Sequence, residues 1–224
     1  MSNGLADDFL LLALDDQGTN LVGDPALDYG LAGAVLLDLV LAGRLRLDDD
    51  RVVVVDAAPT GDPIADAALG RIAEAGKPRK PDAWIQPLTG KLRARLLDRQ
   101  VEAGVLRREE DRVLWVFPRT RYASATGAEP AAETAVRRDL TEAVDGNGAV
   151  PARTAALLGL VQAVGFAEKV FPGRGKKELK FRLDEIAEGN WAAGAVQQAI
   201  AAMQAIIATM TAVTVTTTVI TTTS

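Results

Sequence analysis

The sequence contains neither cysteine nor histidine among its 224 residues. Without cysteine the chain has no disulfide, thiolate nucleophile, iron–sulfur cluster or cysteine-bound zinc. Without histidine it lacks the commonest general base and metal ligand, so Ser-His-Asp and Cys-His catalysis are excluded. Asp, Glu, Lys, Tyr, Ser and Thr remain for chemistry. We therefore expect a binding or scaffolding protein that is not an enzyme and has no metal and no cofactor.

Hydrophobic residues make up 48% of the chain and charged residues 25%, which is typical of a folded, soluble protein. Asp7 and Asp8 stand where a secretory signal would need basic residues, so no export signal is expected. Residues 189–224 carry no charge, but glutamines and many threonines interrupt their apolar stretches. A spanning helix needs about 20 predominantly apolar residues, so we predict no membrane span. The expected location is the cytoplasm, at the inner face of the membrane.

Charge is divided unevenly along the sequence. Residues 1–66 hold thirteen aspartates, no glutamate and three arginines, a net charge of −10, whereas residues 67–224 have a net charge of +5. Runs of charge usually mark solvated faces. The alternative is that the basic remainder meets an anionic surface while the acidic front faces away.

The spacing of apolar residues predicts a mainly α protein, a single-domain helical bundle with amphipathic helices around a central core and one or two small β-hairpins. The most regular pattern predicts a helix over Tyr29–Ala42 that ends at Gly43. The domain is expected to span residues 5–210, followed by a threonine-rich tail at 211–224 that is either disordered or paired as an edge strand. Further helices are predicted at residues 9–14, 64–72, 91–99, 131–144, 151–170, 177–188 and 192–210.

One arrangement of helix, glycine, short strand, acidic turn and apolar strand occurs twice, 61 residues apart. Gly43 corresponds to Gly104, and the acidic turn before Arg51 to the one before Arg112, with a polar connection predicted from residue 118 to residue 130. A helix followed by a hairpin is the outline of a winged helix, so a tandem winged-helix nucleic-acid binder is one hypothesis. The alternative is a common supersecondary unit. The acidic first copy and a pI near 4.9 argue against nucleic acid as a partner.

Two short motifs have residue types suited to ligands without the required context. Gly173 to Lys177 reads Gly-Arg-Gly-Lys-Lys, yet it lacks the P-loop spacing and follows no predicted strand. The triplet Asp48–Asp50 lacks the alternating acids of a calcium loop. We interpret both as loops. The adjacent acids Asp7 and Asp8 are expected to complement the start of a helix, not to act as a catalytic pair.

The strongest functional pattern is a basic helix. Lys91, Arg95 and Arg99 recur every four residues and share one predicted helix face, with Arg93 beside them and leucines opposite. Such a helix can hold the phosphates of a membrane surface or a nucleic acid. The simpler interpretation is an ordinary solvated face.

Several segments together resemble the Golgi phosphoprotein 3 family, in the short acidic form found in actinobacteria. The most specific are Pro59 to Asp62 (Pro-Thr-Gly-Asp) and Arg93 to Leu106, which contains Arg-Ala-Arg-Leu and Glu-Ala-Gly-Val-Leu. The resemblance covers about residues 5–210. It implies a single, mostly helical domain with a projecting hairpin, attached peripherally to membranes through phosphatidylinositol 4-phosphate. Eukaryotic members also bind the cytosolic tails of glycosyltransferases.

The resemblance also implies lipid-binding positions. Of the family's two basic residues on the later helix, one falls on Arg93 and the other on Gly90, beside Lys91. The family's arginine before the long helix falls on Ala32, and its aromatic residue falls near Gly23. Three of the four positions therefore lack the family's residue.

The leading hypothesis is a non-enzymatic peripheral membrane protein that binds phosphatidylinositol 4-phosphate or another anionic lipid head group through Lys91, Arg93 and Arg95. The first alternative is a lipid-independent adaptor or scaffold that contacts other proteins, or a second copy of itself, through the apolar hairpin Val113–Phe117. The second alternative is the tandem winged-helix protein.

Overall fold

A long central helix, α2 (Asp24–Leu41), organises the other elements around it. Gly23 before it has φ 98°, a conformation that glycine adopts without strain. After the helix Gly43 takes φ 68°, and the N–H of Arg44 donates to the Leu39 carbonyl at 2.9 Å. The helix predicted to end at Gly43 is therefore present, and it begins five residues earlier than its apolar spacing indicated.

The structure, a computed structural model, describes residues 4–113, 117–188 and 205–209, apart from the side chains of 111–113 and 117–119. Within this part the architecture is mainly α with two separate antiparallel hairpins, as predicted. Residues 205–209 are helical, whereas the tail 211–224 lies outside the described residues. The other elements are α1 (Leu5–Leu12), β1 (Leu45–Asp48), β2 (Arg51–Val54), α3 (Pro63–Glu74), α4 (Asp82–Leu88), α5 (Leu92–Glu102), β3 (Leu106–Val113), β4 (Phe117–Ser124), α6 (Ala131–Asp145), α7 (Ala152–Val164), α8 (Ala167–Val170) and α9 (Lys176–Glu188).

The core surrounds α2, which packs against α1, α3, α4, α5 and α7. Every residue of α2 from Gly30 to Leu37 is buried, so the helix is covered on all sides there. Phe9 of α1 and Phe166 meet edge to face with ring centroids 5.4 Å apart. A helix buried in this way cannot enter a DNA groove. The first copy of the predicted repeat is therefore not a winged helix that could bind nucleic acid.

Both copies of the repeat share the same helix ending. Gly104 takes φ 70° and the N–H of Val105 donates to the Gln100 carbonyl at 3.0 Å, as at the end of α2. The first hairpin turns at Asp49 and Asp50, with φ of 45° and 59°, which aspartate tolerates in a tight turn. The repeat is thus a recurring local unit, and its two hairpins differ in length.

The second hairpin differs from the prediction. We expected an acidic turn before Arg112 and a polar connection from 118 to 130, but β3 continues through the acids and β4 occupies 117–124. Glu109 lies opposite Arg121, and opposite charges across a strand pair stabilise the pairing. Residues 114–116, and with them most of the predicted contact surface Val113–Phe117, lie outside the described residues.

Gly165 divides the segment that we predicted as one helix over 151–170. α7 ends at Val164, Gly165 takes φ 86°, and α8 starts at Ala167. The spacing did not reveal the break because a glycine within a helical pattern is often tolerated. Among the residues that the structure describes, no helix combines the length and apolar character needed to cross a bilayer.

Gly30 lets α1 and α2 approach closely, because a Cβ there would lie 2.4 Å from Cζ of Phe9. We expect Gly30→Ala to lower the free energy of unfolding by about 1–3 kcal/mol, since it must displace a buried ring. Gly70→Ala in α3 is the matched control: a Cβ there meets nothing within 4 Å. That control should stabilise the protein by about 0.5–1 kcal/mol through helix propensity. Urea unfolding measures both, and equal effects of the two changes would contradict the close packing.

Candidate functional site

Arg93, in the first turn of α5, is turned toward the start of α2. Its Nε donates to Asp28 Oδ1 at 2.7 Å, its Nη1 to Asp24 Oδ1 at 2.7 Å and its Nη2 to the Asp24 carbonyl at 2.9 Å. The hydrogen bond from Arg93 lowers the pKa of Asp24. Arg93, which we predicted to contact lipid, is therefore partly exposed, and acceptors of α2 already engage all three of its nitrogens.

Arg93 borders a cleft of about 500 Å³. Gly23 lines the same cleft. Two of the four positions that the family resemblance assigns to lipid binding therefore lie together. Ala32, the third position, is fully buried in α2 and does not reach it. The cleft has an apolar floor, a loop on one side and β4 on the other. Its remaining lining residues are Leu10, Leu14, Gly18, Thr19, Asn20, Asp24, Leu27, Leu97, Thr120, Arg121 and Tyr122.

The loop beside the cleft is held in one shape by its own hydrogen bonds. Asp15 Oδ1 accepts from the N–H groups of Gln17 and Thr19, at 2.9 and 2.7 Å. Asn20 Oδ1 accepts from the N–H groups of the two residues before α2, at 2.9 and 3.2 Å. Gly18, with φ 72°, lies so close to the Tyr122 backbone that a Cβ would approach it to 2.4 Å. The wall of the cleft is thus preformed.

The other predicted lipid contacts do not join Arg93. Arg95 is exposed, and its Nη2 donates to the Pro63 carbonyl at 3.2 Å. It borders a separate groove of about 70 Å³ together with Gly90, the fourth position carried over from the family. Lys91 is exposed at the start of α5 with φ 58°. The three cations therefore do not form one continuous patch.

Arg99, predicted to share an exposed face with Lys91 and Arg95, instead belongs to the fold. Its Nε and Nη2 donate to the two carboxylate oxygens of Asp7, at 3.0 and 2.5 Å. Its Nη1 donates to both oxygens of Asp62, at 3.0 and 2.9 Å. Asp7 is only 4% exposed, so this charge needs its partner. The helical spacing identified the face of α5 but not the elements that cover it.

Arg99→Gln would leave Asp7 buried without its cation, so we expect the free energy of unfolding to fall by about 3 kcal/mol. Arg95→Gln, on the same helix, is the matched control and should change stability by no more than about 0.5 kcal/mol. Urea unfolding of the two variants checks this. Similar losses in both would show that the Arg99 contacts do not hold the fold.

One acid of the front segment, Asp38 of α2, has a half-buried carboxylate that contacts the start of α1. Asp38 of α2 accepts hydrogen bonds from the first two N–H groups of α1, at 2.9 and 3.4 Å, and so caps that helix. Asp8 pairs with Arg153 at 2.6 Å. Burial raises the pKa of Asp38 to about 6 and also raises the pKa of Asp8. Asp7 and Asp8 lie in the first turn of α1, as predicted, and both serve structural contacts.

Asp38 makes the stability depend on pH in a defined direction. Because its folded pKa of about 6 exceeds the ordinary value of 3.8, the folded state binds the proton more tightly, and its contribution to stability grows as the pH falls through 6. Asp38→Asn removes this titration. We expect wild type to gain up to about 3 kcal/mol in unfolding free energy over Asp38→Asn between about pH 7 and pH 4. Urea unfolding at both pH values measures the gain, and a constant difference would contradict it.

The two remaining sequence motifs are loops only in part. Asp48 ends β1 and Asp49 and Asp50 form the turn of the first hairpin, and among the described residues no group of three or more acids is placed to hold a metal ion. Gly173 to Gly175 connect α8 to α9, whereas Lys176 and Lys177 begin α9. Arg174 pairs with Asp145 at 2.6 Å and lies over the Phe171 ring.

Sequence reasoning missed the partners of Arg93. Asp24 and Asp28 are four residues apart in α2, the spacing at which two acids lie on one side of a helix. That spacing was the available signal. It did not name the cation, which lies 65 residues from Asp28 in the sequence.

The family model described as Golgi phosphoprotein 3 (GPP34) matches residues 5–203. The matched range contains every element from α1 to α9, and it contains the cleft and the basic helix.

Proposed function

The chain belongs to the Golgi phosphoprotein 3 (GPP34) family, and from this premise we propose that it is a non-enzymatic peripheral membrane protein that binds anionic lipid head groups at the cleft beside Arg93. Phosphatidylinositol 4-phosphate is the ligand that the family suggests from its eukaryotic members. The observation that carries the proposal is that Gly23 and Arg93, which match two lipid positions of the family, line one cleft.

Arg93 can exchange one partner without losing its position. Asp28 binds Nε through a side chain that is 32% exposed, whereas Asp24 binds Nη1 through a side chain that is 76% exposed. A phosphate oxygen accepts a charge-assisted hydrogen bond from a guanidinium as a carboxylate oxygen does, so it can take the single place on Nη1 that Asp24 Oδ1 holds. We expect the lipid phosphate to replace the Asp24 carboxylate while Asp28 continues to orient the guanidinium.

The rest of the cleft suits a lipid held by few charges. Its leucine floor can cover the apolar part next to a head group, and its loop wall is preformed. Because a single guanidinium stands where the family implies several polar contacts, the binding is expected to be weak. Exposed Lys91 and Arg95 add long-range attraction to an anionic bilayer without contacting the same phosphate.

The alternatives have less support. The adaptor hypothesis depends on the hairpin Val113–Phe117, which falls mainly outside the described residues. The winged-helix hypothesis requires an exposed helix before the first hairpin, and α2 is buried. The family is not known as an enzyme family.

Vesicle co-sedimentation tests the exchange at Arg93. The vesicles are pure phosphatidylcholine, phosphatidylcholine with phosphatidylglycerol, and phosphatidylcholine with phosphatidylinositol 4-phosphate. Arg93→Gln should weaken binding to the anionic vesicles about tenfold, because it removes a charge-assisted contact. Asp24→Asn should strengthen it about threefold, because it frees Nη1 of its competing carboxylate.

Matched variants separate these effects from a change of net charge. Arg95→Gln removes one positive charge elsewhere on α5, and Asp16→Asn removes one negative charge from an exposed acid in the loop before the cleft. If Asp16→Asn strengthens binding as much as Asp24→Asn, overall charge and not the Arg93 contact controls binding. Equal recovery of wild type with neutral and anionic vesicles would remove the proposal.

A further inference from the structure

One side of α9 combines an exposed aromatic ring with lysines. Phe181 is 71% exposed, more than the other exposed large apolar residue of the described part, Val55, at 56%. Lys177 precedes Phe181 by four residues and Lys180 by one, so the three lie on one side of the helix. We call Lys177, Lys180 and Phe181 the α9 patch.

The charges of α9 oppose its own helix dipole. Three lysines and one acid, Glu178, lie toward the positive N-terminal end, and three acids lie toward the negative C-terminal end. Residues 169–182 contain six basic residues and one acidic residue, a net charge of +5, in a chain whose net charge is −5. An anionic partner at the N-terminal half of α9 would relieve this unfavourable arrangement.

The lysines remain available although two of them have acidic neighbours. Lys180 pairs with Asp184 at 2.5 Å and Lys176 with Glu168 at 2.7 Å, through side chains that are 69% and 80% exposed. Ion pairs at such exposure add little to the stability of the fold, and salt screens them. A lipid phosphate can therefore replace the carboxylate that pairs with each lysine.

Direct contacts connect this region to the cleft. Lys169 of α8 donates to the Leu21 carbonyl, which belongs to the loop before Gly23. Glu168, the preceding residue, binds Lys176 at the start of α9. One hydrogen bond and one ion pair therefore connect the wall of the cleft to Lys176, the residue before the α9 patch.

We propose that the α9 patch is a second membrane contact, in which Phe181 enters the head-group region of an anionic bilayer while Lys177 and Lys180 bind lipid phosphates. A lone ring between flexible lysines lacks the continuous area that a stable protein interface buries. The same ring and cations suffice for a bilayer, where lysine stems lie along the apolar boundary and their ammonium groups stay in water. The inference rests on the proposed membrane function but uses none of the cleft residues.

Co-sedimentation of the full chain with vesicles of phosphatidylcholine and about one third phosphatidylglycerol tests the patch. Phe181→Ser should weaken binding about tenfold, with Val55→Ser as the matched control because both residues are exposed. Lys177→Gln with Lys180→Gln should also weaken it about tenfold. Lys77→Gln with Lys80→Gln is its control, since it removes the same charge from exposed lysines elsewhere.

A labelled cysteine reports insertion directly. Because the chain has no cysteine, Phe181→Cys and Val55→Cys can each carry a single environment-sensitive fluorophore. The label at position 181 should shift to the blue with the anionic vesicles and stay unshifted with pure phosphatidylcholine. The label at position 55 should stay unshifted with both.

The outcomes distinguish the two membrane contacts. If wild type sediments with anionic vesicles and Arg93→Gln weakens binding, but the α9 variants match their controls, the α9 inference alone is overturned. If the α9 variants weaken binding and Arg93→Gln does not, the cleft fails and the patch stands. If wild type does not sediment, both fail. A change in oligomer mass for Phe181→Ser with unaltered sedimentation would assign the surface to a second copy and overturn the inference.

Discussion

Arg99 donates to acids on two other helices, and the relative positions of α1, α3 and α5 depend on those contacts. Asp7 belongs to the first turn of α1, and Asp62 caps α3 by accepting from the N–H groups of Ile64 and Ala65, at 2.7 and 3.3 Å. Asp62 is also the last residue of the Pro-Thr-Gly-Asp segment on which the family resemblance depends most. The most specific motif of this chain is thus a structural one, and its presence alone carries no information about a ligand.

The Arg99 contacts also set the rotation of α5 about its axis. With residue 99 turned toward α1, Arg93 six residues earlier faces the start of α2, and Arg95 faces the start of α3. Arg95 and Arg99, which share a face by their spacing, both reach the start of α3, whereas Arg93 on the neighbouring face reaches α2. The cleft beside Arg93 is accordingly a site of nearly balanced local charge, because Asp24 and Asp28 already pair with the guanidinium.

The sequence predicted best those features that residues close in the sequence determine. The end of α2 at Gly43, the repeat of that ending at Gly104 and the mainly α architecture follow from apolar spacing and from the positive φ that glycine permits. The acidic strand β3 was missed because its support comes from an opposite strand, with Glu109 across from Arg121. The structural role of Arg99 was missed for the same reason, since its buried partner Asp7 lies 92 residues away.

These long-range pairs change the meaning of the uneven charge. The acidic front does not face away from the basic remainder as a separate surface, because Asp7 and Asp8 are buried against Arg99 and Arg153 from that remainder. The two segments neutralise part of each other inside the molecule, so net charge is a poor guide to what a membrane would meet. Screening limits surface electrostatics to about 8 Å at physiological salt. Over that distance the local arrangement of exposed charges, such as the lysines of α9, describes the surface better than the total of −5.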